Sequence, residues 1–299
     1  MEKINSIGIR LTLISLTFGI LIFIFKFIAY FITKSVAIYS DAMESIINIF
    51  SATMAFIGIK IALKPSDSTH PYGHTKIEYI ISILEALFIL SASVSILWKA
   101  IHSFIQIKPI SHLDKGFLFL SPSIALNFFL VYILYKGGKK ENSPILISHA
   151  THLLSDILTT LGIIGGIVLA KFFNFWILDP LMGILVGINI FYMGFKLIKE
   201  SISSLLDESL PEEKVASIKT IIDKTLNEAK SDFKTVGMHN FKTRKAGRKG
   251  FVEFHLTVNG NIPVKKAHHL CDELEKNIKE KHPELSVIIH VEPHKDKKK

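Results

Sequence analysis

A single cysteine stands among the 299 residues, and charged side chains make up only 20% of the chain. One thiol cannot staple a secreted disulfide scaffold, so Cys271 reads as an ordinary buried or half-buried side chain. With 49% hydrophobic residues the chain is too apolar for intrinsic disorder, and its composition is equally unlike that of collagen. The string His-Glu-x-x-His is absent, which argues against an intramembrane metalloprotease. No Gly-rich Walker loop with its lysine is present to drive an ATP-powered pump. Charge is scarce in one part only: residues 1–200 hold 27 charged side chains, residues 201–299 hold 34. That jump divides the chain into a membrane part, 1–206, and a polar part, 207–299. The net charge of +9 comes partly from the Lys-rich end Lys295–Lys299 and partly from loops. It reads as membrane-surface charge and topology signal, with no nucleic-acid partner.

A bilayer core takes about 20 apolar residues per helix. Six stretches qualify: 9–33, 36–63, 77–105, 117–136, 144–173 and 177–199. The first is longer than the apolar run of a signal peptide and lacks a small-residue cleavage site, so it reads as a true span. Lys3, Arg10, Lys60, Lys64, Lys76, Lys136, Lys139, Lys140, Lys196 and Lys199 flank one side of the spans. Lys34, Lys99, Lys108, Lys115 and Lys171 flank the other. Ten against five places both termini and the polar tail in the cytoplasm, for a multi-pass protein of the cell (inner) membrane.

The tail reads as αββαβ. Residues 211–229 form a helix with Pro211 in its first turn and acids following. Residues 233–243 and 250–258 are strands, the second alternating Phe251, Glu253 and His255 with Val252, Phe254 and Leu256. Between them 244–249 is a basic, Gly-containing turn. A second helix over 264–281 and a third strand over 285–291 complete a small α+β layer pair.

Ionisable side chains inside hydrophobic spans are costly and therefore mark function. Span two carries Asp41, Glu44 and Asn48; span five carries His149, His152, Ser155 and Asp156. Glu44 and Asn48 are four apart, as are His152 and Asp156, so each pair lies on one helix face. Two helices each presenting such a pair can enclose a divalent transition metal with two carboxylates, one amide oxygen and one imidazole. The alternative, that each residue only caps or hydrogen-bonds within the bundle, is the weaker reading for both pairs together. Between spans two and three, Asp67, His70 and His74 could wrap a cation, although by spacing alone a solvated loop is the better reading. In the tail, His239, His255, His268, His290 and Glu292 fall on strands and one helix, and by spacing alone read as scattered surface groups. Lys26 is read as snorkelling, Asp179 with Pro180 as the capped start of span six, and Gly162, Gly165 and Gly166 as sites of close helix packing. Glu85 is either a bundle hydrogen-bond partner or a proton-path residue, and His149 either a metal relay or structural.

These features together resemble the cation diffusion facilitator family over nearly the whole chain, about 9–294. The motifs that carry the resemblance are Tyr39-Ser40-Asp41-Ala42, the run His70-Pro71-Tyr72-Gly73-His74-Thr75-Lys76-Ile77-Glu78, His152-Leu153-Leu154-Ser155-Asp156, and Val287-Ile288-Ile289-His290-Val291-Glu292-Pro293. The resemblance implies a six-span membrane helical bundle with a cytoplasmic α+β domain, working as a homodimeric antiporter and not an enzyme. It would export a divalent metal in exchange for protons. By the same resemblance Glu44, Asn48, His152 and Asp156 form the transport site. Asp67, His70 and His74 form a loop metal site, and His239, His255, His268, His290 and Glu292 form metal sites at a tail dimer interface. Lys76 and Asp207 form an inter-subunit charge interlock. Well-known zinc and manganese members usually carry His/Asp or Asp/Asp where this chain has Glu44/Asn48. Zn²⁺ is the first expectation, with Mn²⁺, Fe²⁺, Co²⁺ and Cd²⁺ open, and Asp41 could act as an accessory carboxylate. A membrane-tethered metal sensor without transport is the second reading.

Overall fold

The computed structural model describes residues 2–140, 144–233 and 236–294. Lys295–Lys299 lie outside the described residues, and the side chain of His149 outside the described side chains. Six long helices come first: α1 Glu2–Thr33, α2 Val36–Ala62, α3 Ile77–Ile105, α4 Leu113–Lys140, α5 Pro144–Phe172 and α6 Leu178–Leu205. Then follow α7 Glu212–Phe233, β1 Val236–Ala246, β2 Lys249–Val258, α8 Val264–Lys281 and β3 Leu285–Pro293. All six long helices are apolar and long enough to cross a bilayer. The described residues fall into two compact units, one reaching Ile57 and resuming from Ser82 to Ile198. The other combines Gly58–Ile81 with the chain from Lys199 onward.

In the first unit the helices bury narrow stripes against one another and leave large apolar side chains outward, among them Trp98, Leu158 and Phe172. That inversion is expected where the surroundings are lipid. One packed cluster joins Ala29 of α1, Ala37 and Ile38 of α2, Leu113 and Leu120 of α4, and Ile163 and Ile167 of α5. Another joins Ile47 of α2 to Ile89, Ala92 and Ile96 of α3 and Ile190 of α6. Helix α2 therefore belongs to both clusters. Of the three span-five glycines, only Gly166 sits where an added Cβ would strike a neighbour, the thioether of Met182; Gly162 and Gly165 face open space.

The start of α2 is held by a residue expected to act elsewhere. Ser35 caps α2 by accepting from the Ile38 N–H at 3.2 Å. Asp179 accepts from the Ser35 hydroxyl, from the Val36 N–H at 2.8 Å and from the Ala37 N–H at 3.0 Å. The carboxylate near the start of α6 thus caps α2 and not its own helix. The first-turn N–H groups of α2 have no intrahelical acceptors, and in a buried corner only a side chain can satisfy them.

The second unit carries a three-stranded sheet in the order β1-β2-β3, with β1–β2 antiparallel and β2–β3 parallel across α8. Ile218 and Ile222 of α7, Leu270, Leu274 and Ile278 of α8, and Val252, Phe254 and Leu256 of β2 form its core. Phe233 ends α7 and does not open β1, because Ile222, Leu226, Ala229 and Phe233 continue one helical face onto that core. The basic segment 244–249 is mostly paired strand: Arg244, Lys245 and Ala246 face Phe251, Gly250 and Lys249, which leaves Gly247 and Arg248 as the turn. Gly247 has φ 61°, a left-handed conformation that suits glycine in a two-residue hairpin.

Removing the Asp179 carboxylate tests the corner. Asp179→Ala should lower the unfolding temperature in detergent, at about 1–3 kcal/mol for each buried donor left without a partner. Asp179→Asn, which keeps an acceptor, should cost less; equal stability of all three proteins would refute the capping role.

Candidate metal sites

Helices α2 and α5 meet with their polar residues in opposed order: Asp41 touches Thr160, while Asn48 touches Asp156 and His152. Asn48 donates from Nδ2 to Asp156 Oδ2 at 2.9 Å, and its Oδ1 lies 3.2 Å from His152 Nε2. His152 Nε2 lies 3.9 Å from Asp156 Oδ1. Donor atoms around a tetrahedral ion with bonds near 2.1 Å stand about 3.4 Å apart, so these separations suit one small divalent ion. Asp156 is buried and His152 exposed.

Glu44 stands apart from this group. Among the described residues, two groups of three or more His, Cys, Asp or Glu bring ligand atoms within 4.8 Å of one another, and neither contains Glu44. It lies one turn before Asn48, half-buried, and its Oε2 is buried without a hydrogen-bond partner. Asp41 is also not free to ligate. Its Oδ1 accepts from Lys26 Nζ at 2.8 Å, and both of its oxygens accept from the Thr160 hydroxyl, at 2.9 and 3.1 Å. Lys26 is fully buried and does not snorkel; pairing with Asp41 satisfies its ammonium within the bundle. Two features were missed from sequence. The Lys26–Asp41 pairing joins residues 15 apart on different helices, with no local spacing signal. Thr160 continues the His152/Asp156 face by another four residues, a spacing that was legible.

In the second unit the loop residues do converge. Asp67 Oδ1 accepts from the Thr69 N–H at 3.0 Å, the Thr69 hydroxyl at 2.8 Å and the His70 N–H at 2.7 Å, an Asx-type turn. His70 Nδ1 and His74 Nε2 lie 3.5 and 3.3 Å from the same carboxylate, and the two rings are 4.6 Å apart. These three residues form one of the two groups with metal-ligand spacing. His74 turns Nε2 toward the carboxylate, and its other ring nitrogen, Nδ1, is buried without a hydrogen-bond partner. The hydroxyl of Thr69, then the His70 N–H, hold the Asp67 carboxyl down at about 2 from its ordinary 3.8.

The other group is on the sheet. It is His239, His255 and Glu292; His290 shares the rung of His239 and His255 across β1, β2 and β3 but is outside that group. Glu292 Oε1 lies 2.7 Å from His239 Nε2, and Glu292 Oε2 lies 3.6 Å from His255 Nδ1. His255 alternates with the core residues Phe254 and Leu256, so the rung faces away from the helices. His268 does not join it: α8 packs on the opposite face, and its exposed imidazole pairs with Asp272 one turn on, at 3.0 Å. Lys76 Nζ meets Asp207 at 2.7 Å within this one chain, with Arg244 adding a contact at 3.4 Å. The Lys76 hydrogen bond holds the Asp207 carboxyl below its ordinary range. Beside them Glu78 pairs with Arg248 at 3.0 Å, and the Gly247 N–H donates to the Tyr79 hydroxyl at 2.8 Å. Cys271 is half-buried, as expected.

Six helices long and apolar enough to cross a bilayer, followed by a small α+β unit, define a multi-pass membrane protein. Residues 12–206 match the cation efflux transmembrane domain, and residues 210–294 match the cytoplasmic domain of cation efflux proteins. The chain belongs to the cation efflux, or cation diffusion facilitator, family. It is 35% identical to an uncharacterised transporter of Synechocystis, over 98% of this chain and 90% of that one. It is 28% identical to the cation-efflux pump FieF of Shewanella oneidensis, over 96% of this chain and 92% of that one. The solved metal-bound C-terminal domain of the CzcD transporter from Thermotoga maritima is 26% identical, covering 30% of this chain and 100% of that one, with a TM-score of 0.25. Family membership makes this chain a multi-pass transporter for the efflux of divalent metal cations.

Two measurements check the local chemistry. Lys26→Met strands a buried Asp41 charge and should cost about 3–5 kcal/mol. Lys26→Met with Asp41→Asn should recover most of that in thermal unfolding; a double variant no better than the single one would count against the pairing. For Asp67, the folded value lies below the ordinary one. Its charge therefore supports the loop above the ordinary value, and that support is lost as pH falls through the folded value. Carboxyl ¹³C NMR should find the midpoint near 2, and Thr69→Val should move it toward 3.8; no movement would remove Thr69 as the cause.

Proposed function

We propose that the chain exports a divalent transition-metal ion from the cytoplasm in exchange for protons, with Glu44, Asn48, His152 and Asp156 as its transport site. The observation that supports this most directly is Asn48 bridging His152 and Asp156 across two membrane helices. The donor set of one imidazole among oxygens admits Zn²⁺ and equally Mn²⁺, Fe²⁺, Co²⁺ or Cd²⁺. Coordination needs an ionised carboxylate and a neutral imidazole, so a proton and the metal compete for the same atoms. A proton delivered from the far side drives the ion off; its return to the cytoplasm re-forms the anionic site. Glu44 enters the coordination when α2 moves relative to α5, and alternating access follows from rocking of the helices that carry the site.

The membrane part, 1–206, does the carrying, and the polar part, 207–299, lies in the cytoplasm with both termini. The second part pairs with its copy in a homodimer. Asp67, His70 and His74, and separately His239, His255, His290 and Glu292, would hold resident metal ions that stiffen the cytoplasmic side. The Lys76–Asp207 pair ties the loop to the chain that follows α6 and belongs to the charge interlock between the two protomers. A membrane-tethered sensor could use the same tail groups, but it has no need of a buried donor cage between α2 and α5.

Purified protein in proteoliposomes decides between these. Asp156→Ala should reduce metal flux at least about tenfold, since removing one charge-bearing ligand forfeits well over 1.4 kcal/mol. Wild-type flux in this variant would dismiss the site, and flux indifferent to an imposed pH gradient would dismiss proton exchange.

A further inference from the structure

A small cavity of about 60 Å³ lies directly beside the α2–α5 cage, bounded by α1, α2, α4 and α5. Five leucines and isoleucines line it, and five polar side chains open on it as well: Ser15, Ser45, Asn48, Asn127 and Asp156. Two of these, Asn48 and Asp156, belong to the cage. Asn127 comes from α4, which carries none of the residues assigned to metal. It is 2% exposed, and its Oδ1 is buried with no hydrogen-bond partner. An amide oxygen left so in the middle of a membrane helix is costly, roughly 1–3 kcal/mol, unless a donor meets it in the working protein.

Water meets the requirement and the space admits it. A single water needs about 10–15 Å³ of such volume and two to four polar partners, so the chamber takes several. Water bound to a cation is a stronger hydrogen-bond donor than bulk water, with its lone pair on the ion and two protons to give. Asn127 Oδ1 accepts one of them, and the serine hydroxyls are within the same chamber for the other. We propose that this chamber keeps ordered water on the transported ion, held by Asn127, so that the site favours Mn²⁺ over Zn²⁺. The inference rests on the α2–α5 cage being the transport site and deepens it by naming the class of ion.

The ion preference follows from coordination number. Zn²⁺ settles into four ligands and sheds water to do so. Ions that prefer six oxygen-rich ligands, Mn²⁺ above all, gain from each retained water. Raw affinity runs the other way, with Mn²⁺ the weakest binder of the first-row series, so a retained water is the kind of device that selection for Mn²⁺ requires. Asn127 is on this account a specificity-determining residue that acts through water and not a direct ligand.

The test is the ratio of Mn²⁺ to Zn²⁺ flux in proteoliposomes, with each metal supplied alone. Asn127→Leu, close in volume and without an acceptor, should lower that ratio about tenfold, the scale of one lost hydrogen bond to an ion-bound water. Ala52→Leu fills the same chamber from α2 with Asn127 intact and should shift the ratio the same way. An unchanged ratio in either folded variant overturns the proposal, as does a wild-type protein that carries Zn²⁺ but not Mn²⁺. Asp156→Ala run in parallel separates the two claims. If it is silent while the ratio holds, only the chamber proposal fails; if it transports normally, the cage reading itself fails.

Discussion

An ammonium group with no path to water must be neutralised where it stands, and Lys26 is such a group. Packed helices enclose it on all sides and leave Asp41 as its counter-ion. Thr160 then locks the same carboxylate to α5. This triad sets how far α2 and α5 are offset along each other, and that offset brings Asn48 opposite Asp156 and His152. About one turn earlier, at the N-terminus of α2, the Asp179 carboxylate closes the first turn from α6. The meeting of Asn48, His152 and Asp156 is therefore a consequence of two buried carboxylates outside that group.

The two polar clusters of the second unit follow different rules, because water can reach them. Asp67 gains its ionised state from local donors, the Thr69 hydroxyl and the His70 N–H, and needs no buried counter-charge. The histidine rung depends on strand register: one residue of slip would turn His255 inward and Phe254 outward. Its face is free of helices because the apolar face of the sheet already carries α7 and α8. Surface sites of this kind are assembled by backbone pairing, whereas the membrane cage is assembled by charge compensation.

Much of this was legible in the chain. Long apolar runs announced six helices, and the alternation of β2 announced which side of the sheet would be buried. The i, i+4 pairs Glu44/Asn48 and His152/Asp156 lie on helices, with Asn48 in contact with His152 and Asp156 and Glu44 one turn before Asn48. His268 was assigned to the tail sites by resemblance alone; within one chain it lies on α8, on the other face of the sheet from the histidine rung. Asp179 beside Pro180 looked like a cap for α6 because caps are usually local, and here the acceptor crosses to a helix about 140 residues earlier.

Sequence alone determined the number of spans, the αββαβ order and the chemical types of donor offered to a cation, since each of these depends on neighbours within a turn or a strand. Tertiary structure decided which side chains share a point, that Asp41 pairs with Lys26 and Thr160, and that Asn127 of α4 opens on the same space. The physical reason is that helix periodicity constrains the face a residue occupies. The axial offset between two helices is set by buried charges and caps whose partners lie anywhere in the chain.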